Sequence, residues 1–165
     1  MQTVVQGTSH ELLHARRSLR LGMLHKCQGR HAGHEKPVLC VAQHPTSPNT
    51  AVSCGEDRVV RLWSLQDGIC RRTIACRSKP LCVAFSREGD FIASAHFDGS
   101  LHIFDAASGK DMKHFDKLHL KECVAVVPTQ HASRVLSVGK DDAICISDAY
   151  RPEVRCTDSC GSLHC

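Results

Sequence analysis

Short apolar runs alternate with polar turns along most of the chain, and this alternation repeats at a nearly fixed interval. The tripeptide Cys-Val-Ala begins at Cys40, Cys82 and Cys123, so successive copies lie 42 and 41 residues apart. Each copy is followed by a turn that contains an aspartate, and these are Asp57, Asp98 and Asp141. A period near 40 residues with several short strands per unit is typical of β-propeller blades. The pattern therefore predicts an all-β chain built from blades.

Each repeat is predicted to form an antiparallel sheet of short strands. The innermost strands are expected at residues 38–42, 81–85 and 123–127, and the second strands at 51–54, 91–95 and 134–138. Alternating third strands are expected at 59–63 and 101–104, and an outer fourth strand at 69–74. Strands joined by such short turns leave no room for crossover helices, which excludes a parallel α/β sheet.

The first repeat contains Gly33-His34, Ser53, Asp57 and Trp63, with Ser64 following the tryptophan. This arrangement resembles the WD40 repeat family, whose units carry Gly-His, a strand serine, a turn aspartate and a closing Trp-Asp. The resemblance covers roughly residues 33–152. It implies a hydrogen-bonded network that runs from the indole N–H through hydroxyl and imidazole to carboxylate, because buried polar groups must be paired.

The two later repeats keep part of the same pattern. Both retain the strand serine and two aspartates, but both replace the tryptophan, and the second lacks the Gly-His pair. These residues are Ser94, Asp98, Phe104 and Asp105 in the second repeat, and Ser137, Asp141, Ser147 and Asp148 in the third. The resemblance implies that they hold the strands and turns of their blades together.

A narrower resemblance connects the order of turns to the C-terminal propeller of the autophagy-related protein 16 family. The second repeat reads Ala95-His96-Phe97-Asp98 and the third contains Asp141-Asp142, in the same order as in that family. This resemblance implies a scaffold in the machinery that attaches a ubiquitin-like protein to autophagic membranes. A WD40 substrate adaptor of another pathway, such as ubiquitin ligation, is the alternative.

The repeats divide the chain into five predicted segments. They are an N-terminal segment at 1–32, three blades at 33–76, 77–117 and 118–158, and a truncated tail at 159–165. The N-terminal segment is expected to hold a remnant of a preceding blade at 18–27, or alternatively a helix over 10–24. Closed propellers have about four to eight blades. We therefore expect an incomplete propeller, either a fragment or a chain whose missing blades come from its parent or from another protomer.

Composition narrows the functional classes. The net charge is only +4 and aromatic residues make up 4% of the chain, so a nucleic-acid surface is not expected. No apolar run reaches the about 18 residues that a spanning helix needs, so no membrane insertion is expected. Eleven cysteines would fit a secreted disulfide scaffold, but no apolar signal segment opens the sequence. We therefore expect reduced thiols and a cytoplasmic location.

Motifs that could support metal chemistry are incomplete. His10, Glu11 and His14 fit the HExxH motif of zinc hydrolases, in which the glutamate is the general base, but no third ligand follows at the usual spacing. Two Cys/His groups lack the paired-cysteine spacing of structural zinc sites. They are Cys27, His31 and His34, and Cys156, Cys160, His164 and Cys165. We expect no metal, no cofactor and no enzymatic activity, with a zinc hydrolase as the least favoured alternative.

Protein partners are expected to dock on the turns at one face of the ring. The candidate contact residues flank the turn aspartates, and they are Arg58, His96 and Lys140. The turn aspartates themselves lie in separate blades, so they are expected to hold turns by accepting backbone hydrogen bonds instead of forming a catalytic set.

Overall fold

The computed structural model describes residues 33–151, 154–157 and 163–164. The predicted blade remnant or helix in the first 32 residues, the HExxH motif, and Cys27, His31, Cys160 and Cys165 lie outside the described residues. In the described part of the chain, every regular element is a strand, and no helix is long and apolar enough to cross a lipid bilayer.

The strands form three antiparallel sheets, and each sheet follows the order of the chain. The first contains β1 (Val38–Gln43), β2 (Thr50–Gly55), β3 (Val59–Ser64) and β4 (Ile69–Ala75). The second contains β5 (Pro80–Phe85), β6 (Phe91–His96), β7 (Leu101–Asp105) and β8 (Asp111–Phe115). The third contains β9 (Cys123–Pro128), β10 (Arg134–Gly139), β11 (Ile144–Asp148), β12 (Val154–Thr157) and β13 (Leu163–His164).

The predicted strands are present within one residue of their expected bounds. The all-β class and the three blades of an incomplete propeller, each with the four expected strands, are therefore confirmed. The tail differs from the prediction. Residues 163–164 were assigned to a truncated tail outside the blades, but β13 pairs with β12 as a fifth strand of the third sheet. The pairing of β13 covers the edge of β12 and makes β13 the outermost strand of this sheet.

The blades stack face to face, and the middle blade is buried on both sides. Ile92 packs in an apolar cluster with the first blade, whereas its neighbours Phe91 and Ala93 pack in a second cluster against the third blade. Side chains of a strand alternate between its two faces, so β6 contributes to both clusters and every one of its residues is buried. This double burial explains why the β6 sequence, FIASAH, shows no alternation of apolar and charged residues.

The innermost strand of each blade carries a register shift near its start. The shifts occur at Val38/Cys40 in β1, at Pro80/Cys82 in β5, and opposite Val138/Gly139 in β9. A bulge bends a strand and increases its local twist. In each blade, the carbonyl of the residue just before the inner strand accepts a hydrogen bond from the turn that follows the second strand, where the polar networks lie. These bonds run from Glu56 N–H to Pro37, from Phe97 N–H to Lys79, and from Lys140 N–H to Glu122.

Candidate functional site

A hydrogen-bonded chain of side chains joins the elements of the first blade. The indole N–H of Trp63 donates to Ser53 Oγ at 2.8 Å. Ser53 Oγ lies 2.7 Å from His34 Nε2, and His34 Nδ1 lies 2.9 Å from both carboxylate oxygens of Asp57. The backbone N–H of Glu35 also donates to Asp57, at 3.1 Å. This chain ties the segment before β1 to β2, β3 and the turn between them.

The acceptors determine where each proton in this network lies. The Asp57 carboxylate only accepts, so His34 carries its hydrogen on Nδ1 and accepts from the Ser53 hydroxyl through Nε2. The hydroxyl oxygen of Ser53 in turn accepts from Trp63. Burial lowers the pKa of His34 below its usual value, although the hydrogen bond to Asp57 acts in the opposite direction. The neutral imidazole is therefore the form that the network requires.

Ser53, His34 and Asp57 are the residue types of a hydrolase triad, but their environment opposes nucleophilic catalysis. Ser53 is only 3% exposed, and the His34 side chain is also 3% exposed. The Trp63 indole N–H occupies a lone pair of the oxygen that would have to attack a substrate. A nucleophile must reach its substrate and keep its lone pair available. The arrangement therefore stabilises strand packing.

The third blade contains the same network, built on a histidine that the sequence analysis missed. His119 Nε2 lies 2.9 Å from Ser137 Oγ, and His119 Nδ1 lies 3.0 Å from Asp141 Oδ1. The backbone N–H of Leu120 donates to Asp141 at 2.7 Å, as the corresponding N–H does in the first blade. At the tryptophan position, the Ser147 hydroxyl is buried and has no hydrogen-bond partner among the described residues.

A spacing signal could have identified His119. It precedes the strand serine by 18 residues and the turn aspartate by 22, whereas His34 precedes its own partners by 19 and 23. The analysis searched for a Gly-His pair, and His119 follows Leu118 instead of a glycine.

The second blade reaches the same serine with a histidine from a different place. His96 ends β6 at the position that Gly55 and Gly139 occupy in β2 and β10, as the strand registers show. Its Nε2 lies 2.8 Å from Ser94 Oγ, and its Nδ1 lies 3.2 Å from the carbonyl oxygen of Ser78. In this blade the imidazole therefore comes from the second strand itself. In the other two blades, Gly55 and Gly139 leave this space for His34 and His119, which come from the segment before the inner strand.

His96 was predicted to be an exposed partner-contact residue, and this prediction is wrong. The side chain is fully buried, with 0% exposure. Local sequence placed it in a turn, but the neighbouring strands enclose it. Burial, together with the nearby His102, lowers the pKa of His96 to about 4, so it is a neutral internal group and cannot serve as a docking residue.

The remaining predicted network residues stabilise turns or the core. Phe104 occupies the tryptophan position of the second blade and packs in the cluster shared with the first. The aspartates accept local hydrogen bonds: Asp98 from the Ser100 hydroxyl at 2.6 Å, Asp105 from the Ser108 N–H at 2.6 Å, and Asp148 from the Ser133 hydroxyl at 2.8 Å. Burial by itself would raise the pKa of Asp98. The hydrogen bonds from Ser100 act in the opposite direction, and the pKa lies below its usual value.

Arg58 and Lys140, the other predicted contact residues, are exposed on turns. Lys140 Nζ lies 3.2 Å from Glu122 Oε1. Arg58 has a φ of 61°, and its backbone is fixed by bonds from its N–H to Gly55 O at 3.2 Å and from the Cys76 N–H to its carbonyl at 2.9 Å. The Arg58 side chain therefore extends from a rigid backbone position.

The inner-strand cysteines are thiols that lie close to one another. Cys40 Sγ lies 3.7 Å from Cys82 Sγ in the next blade, and Cys40 pairs in register with Cys54. Burial raises the pKa of Cys123 to about 12, so this thiol stays neutral. Among the described residues, no group of three or more His, Cys, Asp or Glu side chains is placed to hold a metal ion.

One cysteine pair contradicts the prediction of fully reduced thiols. Cys145 and Cys156 form a disulfide. The two residues face each other directly in the β11–β12 ladder, and cross-strand neighbours have closely spaced Cβ atoms. The register of these two strands was not predicted, so the sequence analysis had no basis for pairing them.

Comparison with known proteins gives consistent similarities. The family model described as "WD domain, G-beta repeat" matches residues 25–64 and 68–105. Autophagy-related protein 16 from Arabidopsis thaliana is 28% identical over 131 residues, which cover 79% of this chain and 25% of that protein. Pre-mRNA-processing factor 17 from Mus musculus is 28% identical over 113 residues, covering 67% of this chain and 20% of that protein.

A solved structure supports the fold at the level of backbone geometry. The structure of U3-55K superposes with a TM-score of 0.70 at 19% identity, covering 74% of this chain and 39% of that chain. The chain thus spans about a quarter or less of the length of these two curated relatives. The described blades correspond to part of a larger architecture in the proteins to which the chain is similar.

Proposed function

Because this chain is a WD40-repeat protein, we propose that it acts as a non-catalytic scaffold that binds protein partners. The partners bind through the turns between second and third strands and through the segments that join one blade to the next. In an antiparallel meander these connections emerge at the same end of every blade. They form one face of the ring, which we call the docking face.

The proposal rests on the observation that the serine, histidine and aspartate side chains able to do chemistry are buried, whereas charged side chains are exposed. The Ser53–His34–Asp57 set of the first blade and its His119-based counterpart in the third are buried and engaged in hydrogen bonds between strands. The side chains that face solvent on the docking face include charged turn residues such as Arg58 and Lys140. Exposed charged groups on rigid turns suit recognition of another macromolecule.

We further propose that the scaffold works in autophagosome assembly, in the cytoplasm. Similarity to autophagy-related protein 16 over 131 residues supports this role, as does the order of the Ala95-His96-Phe97-Asp98 turn and the doubled aspartate Asp141-Asp142. Additional blades close the ring, supplied by the parent chain or by another protomer. Their contribution would cover the outer faces of the first and third blades, which have no neighbouring blade among the described residues.

The proposal is tested by quantitative affinity capture of the tagged chain from the cells that express it. Proteins that depend on the docking face should be recovered with the unaltered chain and lost with Arg58→Glu, while Lys110→Glu, on the opposite ring face, should retain them. Each captured protein must then bind the purified chain directly. Recovery of the autophagy conjugation machinery would support the finer proposal, whereas ubiquitin-ligase subunits would support the substrate-adaptor alternative.

A parallel measurement addresses the enzymatic alternative. Purified chain should contain less than one zinc per molecule and should leave casein intact. Stoichiometric zinc together with hydrolysis that is lost in Glu11→Gln would contradict the scaffold proposal.

A further inference from the structure

A cavity of about 510 Å³ opens on the docking face between the first and second blades. Four cationic side chains line it, and they are Lys36, Arg58, Arg77 and Lys79. Two carboxylates, Glu56 and Asp98, also line it. We call this concave surface the basic pocket. A pocket of this volume is within the range of sites that hold small ligands or short peptide segments.

The positive charge of the basic pocket is only partly offset by its own carboxylates. Asp98 already accepts two hydrogen bonds from Ser100, at 2.6 Å from the hydroxyl and 3.1 Å from the backbone N–H. Among the residues that the structure describes, no carboxylate lies within salt-bridge distance of Lys36, Arg58 or Arg77. The pocket therefore presents cationic groups that an anionic ligand could pair.

Arg58 occupies a backbone position that favours glycine. Its φ of 61° lies in the left-handed region, and the second blade has Gly99 at the same place after its turn aspartate, with a φ of 82°. A residue with a side chain is less stable than glycine in this conformation. The third blade also has a non-glycine residue at this place, Asp142, with a φ of 63°. The conformation therefore fixes the direction in which the Arg58 side chain leaves the turn, and the case for binding rests on the charges and the ring around it.

An exposed aromatic ring lies beside these charges. Phe97 is 50% exposed, and Lys79 Nζ lies 4.8 Å from the centre of its ring. A free inorganic anion would gain nothing from this apolar surface. A peptide that carries an apolar side chain between acidic ones could bury that side chain against Phe97 and pair its carboxylates with the surrounding cations.

We propose that the basic pocket binds an extended acidic segment of a partner protein, in which an apolar residue is flanked by aspartates or glutamates. The proposal rests on the proposed scaffold function and adds the chemistry of the partner and the surface that it contacts. Arg58 and Arg77 pair the carboxylates from the two sides of the groove, and Phe97 contacts the apolar residue. Guanidinium groups suit this task because they bind carboxylates in a bidentate manner.

Fluorescence polarisation with the purified chain tests the proposal. The probe is a labelled peptide with the sequence Asp-Glu-Leu-Asp-Glu between glycines, and its counterpart has Asn and Gln in place of the acidic residues. The acidic peptide should bind saturably and the amide counterpart should not. Raising ionic strength from about 0.01 to about 0.15 M shortens the screening length from about 30 to about 8 Å, and should weaken binding.

Arg58→Gly is the decisive variant because it removes the cation and also relieves the left-handed backbone position. Combined with Arg77→Ala it should weaken binding about tenfold, since the double variant loses two exposed ion pairs that each contribute a few-fold. Phe97→Ala should weaken binding to the leucine peptide but not to a variant peptide with alanine at that position. Lys110→Ala, in the turn on the opposite ring face, is the matched control and should bind as the unaltered chain does.

Three outcomes would overturn the proposal: equal binding of the acidic and amide peptides, equal binding by the Arg58→Gly/Arg77→Ala variant, or absence of peptide binding. If the chain instead bound vesicles containing phosphatidylserine in an Arg58-dependent manner without binding peptide, the ligand would be a membrane surface and the peptide proposal would be wrong. Partner capture that persists in Arg58→Gly/Arg77→Ala would leave the scaffold function standing and reject only this pocket.

Discussion

Removing the Ser53 hydroxyl should be among the most destabilising small changes in the first blade. Ser53 Oγ accepts from the Trp63 indole N–H at 2.8 Å and pairs with His34 Nε2 at 2.7 Å. Ser53→Ala would leave both groups without a partner, and Trp63 is only 2% exposed, so water could not replace the hydroxyl. Each orphaned buried group is worth about 1–3 kcal/mol, and we expect a loss of about 2–4 kcal/mol in the free energy of unfolding.

The third blade provides a matched control within the same chain. Ser137 occupies the equivalent place, and its hydroxyl pairs with His119 Nε2 at 2.9 Å, but no buried indole N–H depends on it because Ser147 replaces the tryptophan. Ser137→Ala should therefore destabilise by about 1–2 kcal/mol, which is roughly half the effect. The comparison tests the contribution of the indole N–H, since both substitutions remove the same atom from serines that are buried to a similar extent.

Urea denaturation followed by far-UV circular dichroism measures both variants, and fluorescence adds a local probe because Trp63 is the only tryptophan in the chain. In a double-mutant cycle, Trp63→Phe should reduce the effect of Ser53→Ala, because phenylalanine has no N–H to orphan. An equal loss in Ser53→Ala and Ser137→Ala, or no coupling between Ser53 and Trp63, would refute the network reasoning.

Three further predictions follow from the geometry. The folded pKa of His96 is lowered to about 4, below the unfolded value near 6.5, so between these values the unfolded chain binds more protons at this residue. The contribution of His96 to stability should therefore be constant above pH 6.5 and fall toward pH 4, and His96→Gln should make the stability curve from urea denaturation less steep in this range. Gly99→Ala should lower the free energy of unfolding by more than about 3 kcal/mol, since the added Cβ would lie 2.1 Å from the His119 carbonyl oxygen. Gly109→Ala is the control: its backbone conformation is similar but its nearest contact is at 3.3 Å, so it should lose only about 1–2 kcal/mol in thermal or urea unfolding. The hydrogen bond to Asp90 raises the pKa of Tyr150 to about 12. Because Tyr150 is the only tyrosine, an ultraviolet titration of the chain measures this pKa directly. An unchanged titration in Asp90→Asn would disprove the contact.

Much of the blade interior could be predicted from local sequence. The Cys-Val-Ala period and the turn aspartates gave the number, order and bounds of the strands, because antiparallel strands joined by short turns are specified by neighbouring residues. The first network was predictable for the same reason: the residue types of His34, Ser53, Asp57 and Trp63 stand at spacings that a blade of this size brings together.

Other features depended on contacts between distant segments. His119 lacks the preceding glycine that the search required, and its role is visible only where its ring meets Ser137 and Asp141. The turn pattern suggested that His96 is exposed, whereas strands on both sides of β6 enclose it. The Cys145–Cys156 disulfide follows from the register of β11 and β12, which places the two residues opposite each other. This register is set by strand pairing and could not be read from the composition.

The sequence by itself determined that this protein is a chain of antiparallel blades, because a period of about 40 residues and short turns are local properties of the chain. Tertiary structure alone decided which polar residues are internal and which are available to partners. The basic pocket illustrates the difference: Lys36 and Arg58 belong to the first blade and Phe97 to the second, and Arg77 and Lys79 lie in the segment between them. Only the packing of one blade against the next places these residues around one cavity, because their proximity arises from burial of the apolar faces between the sheets.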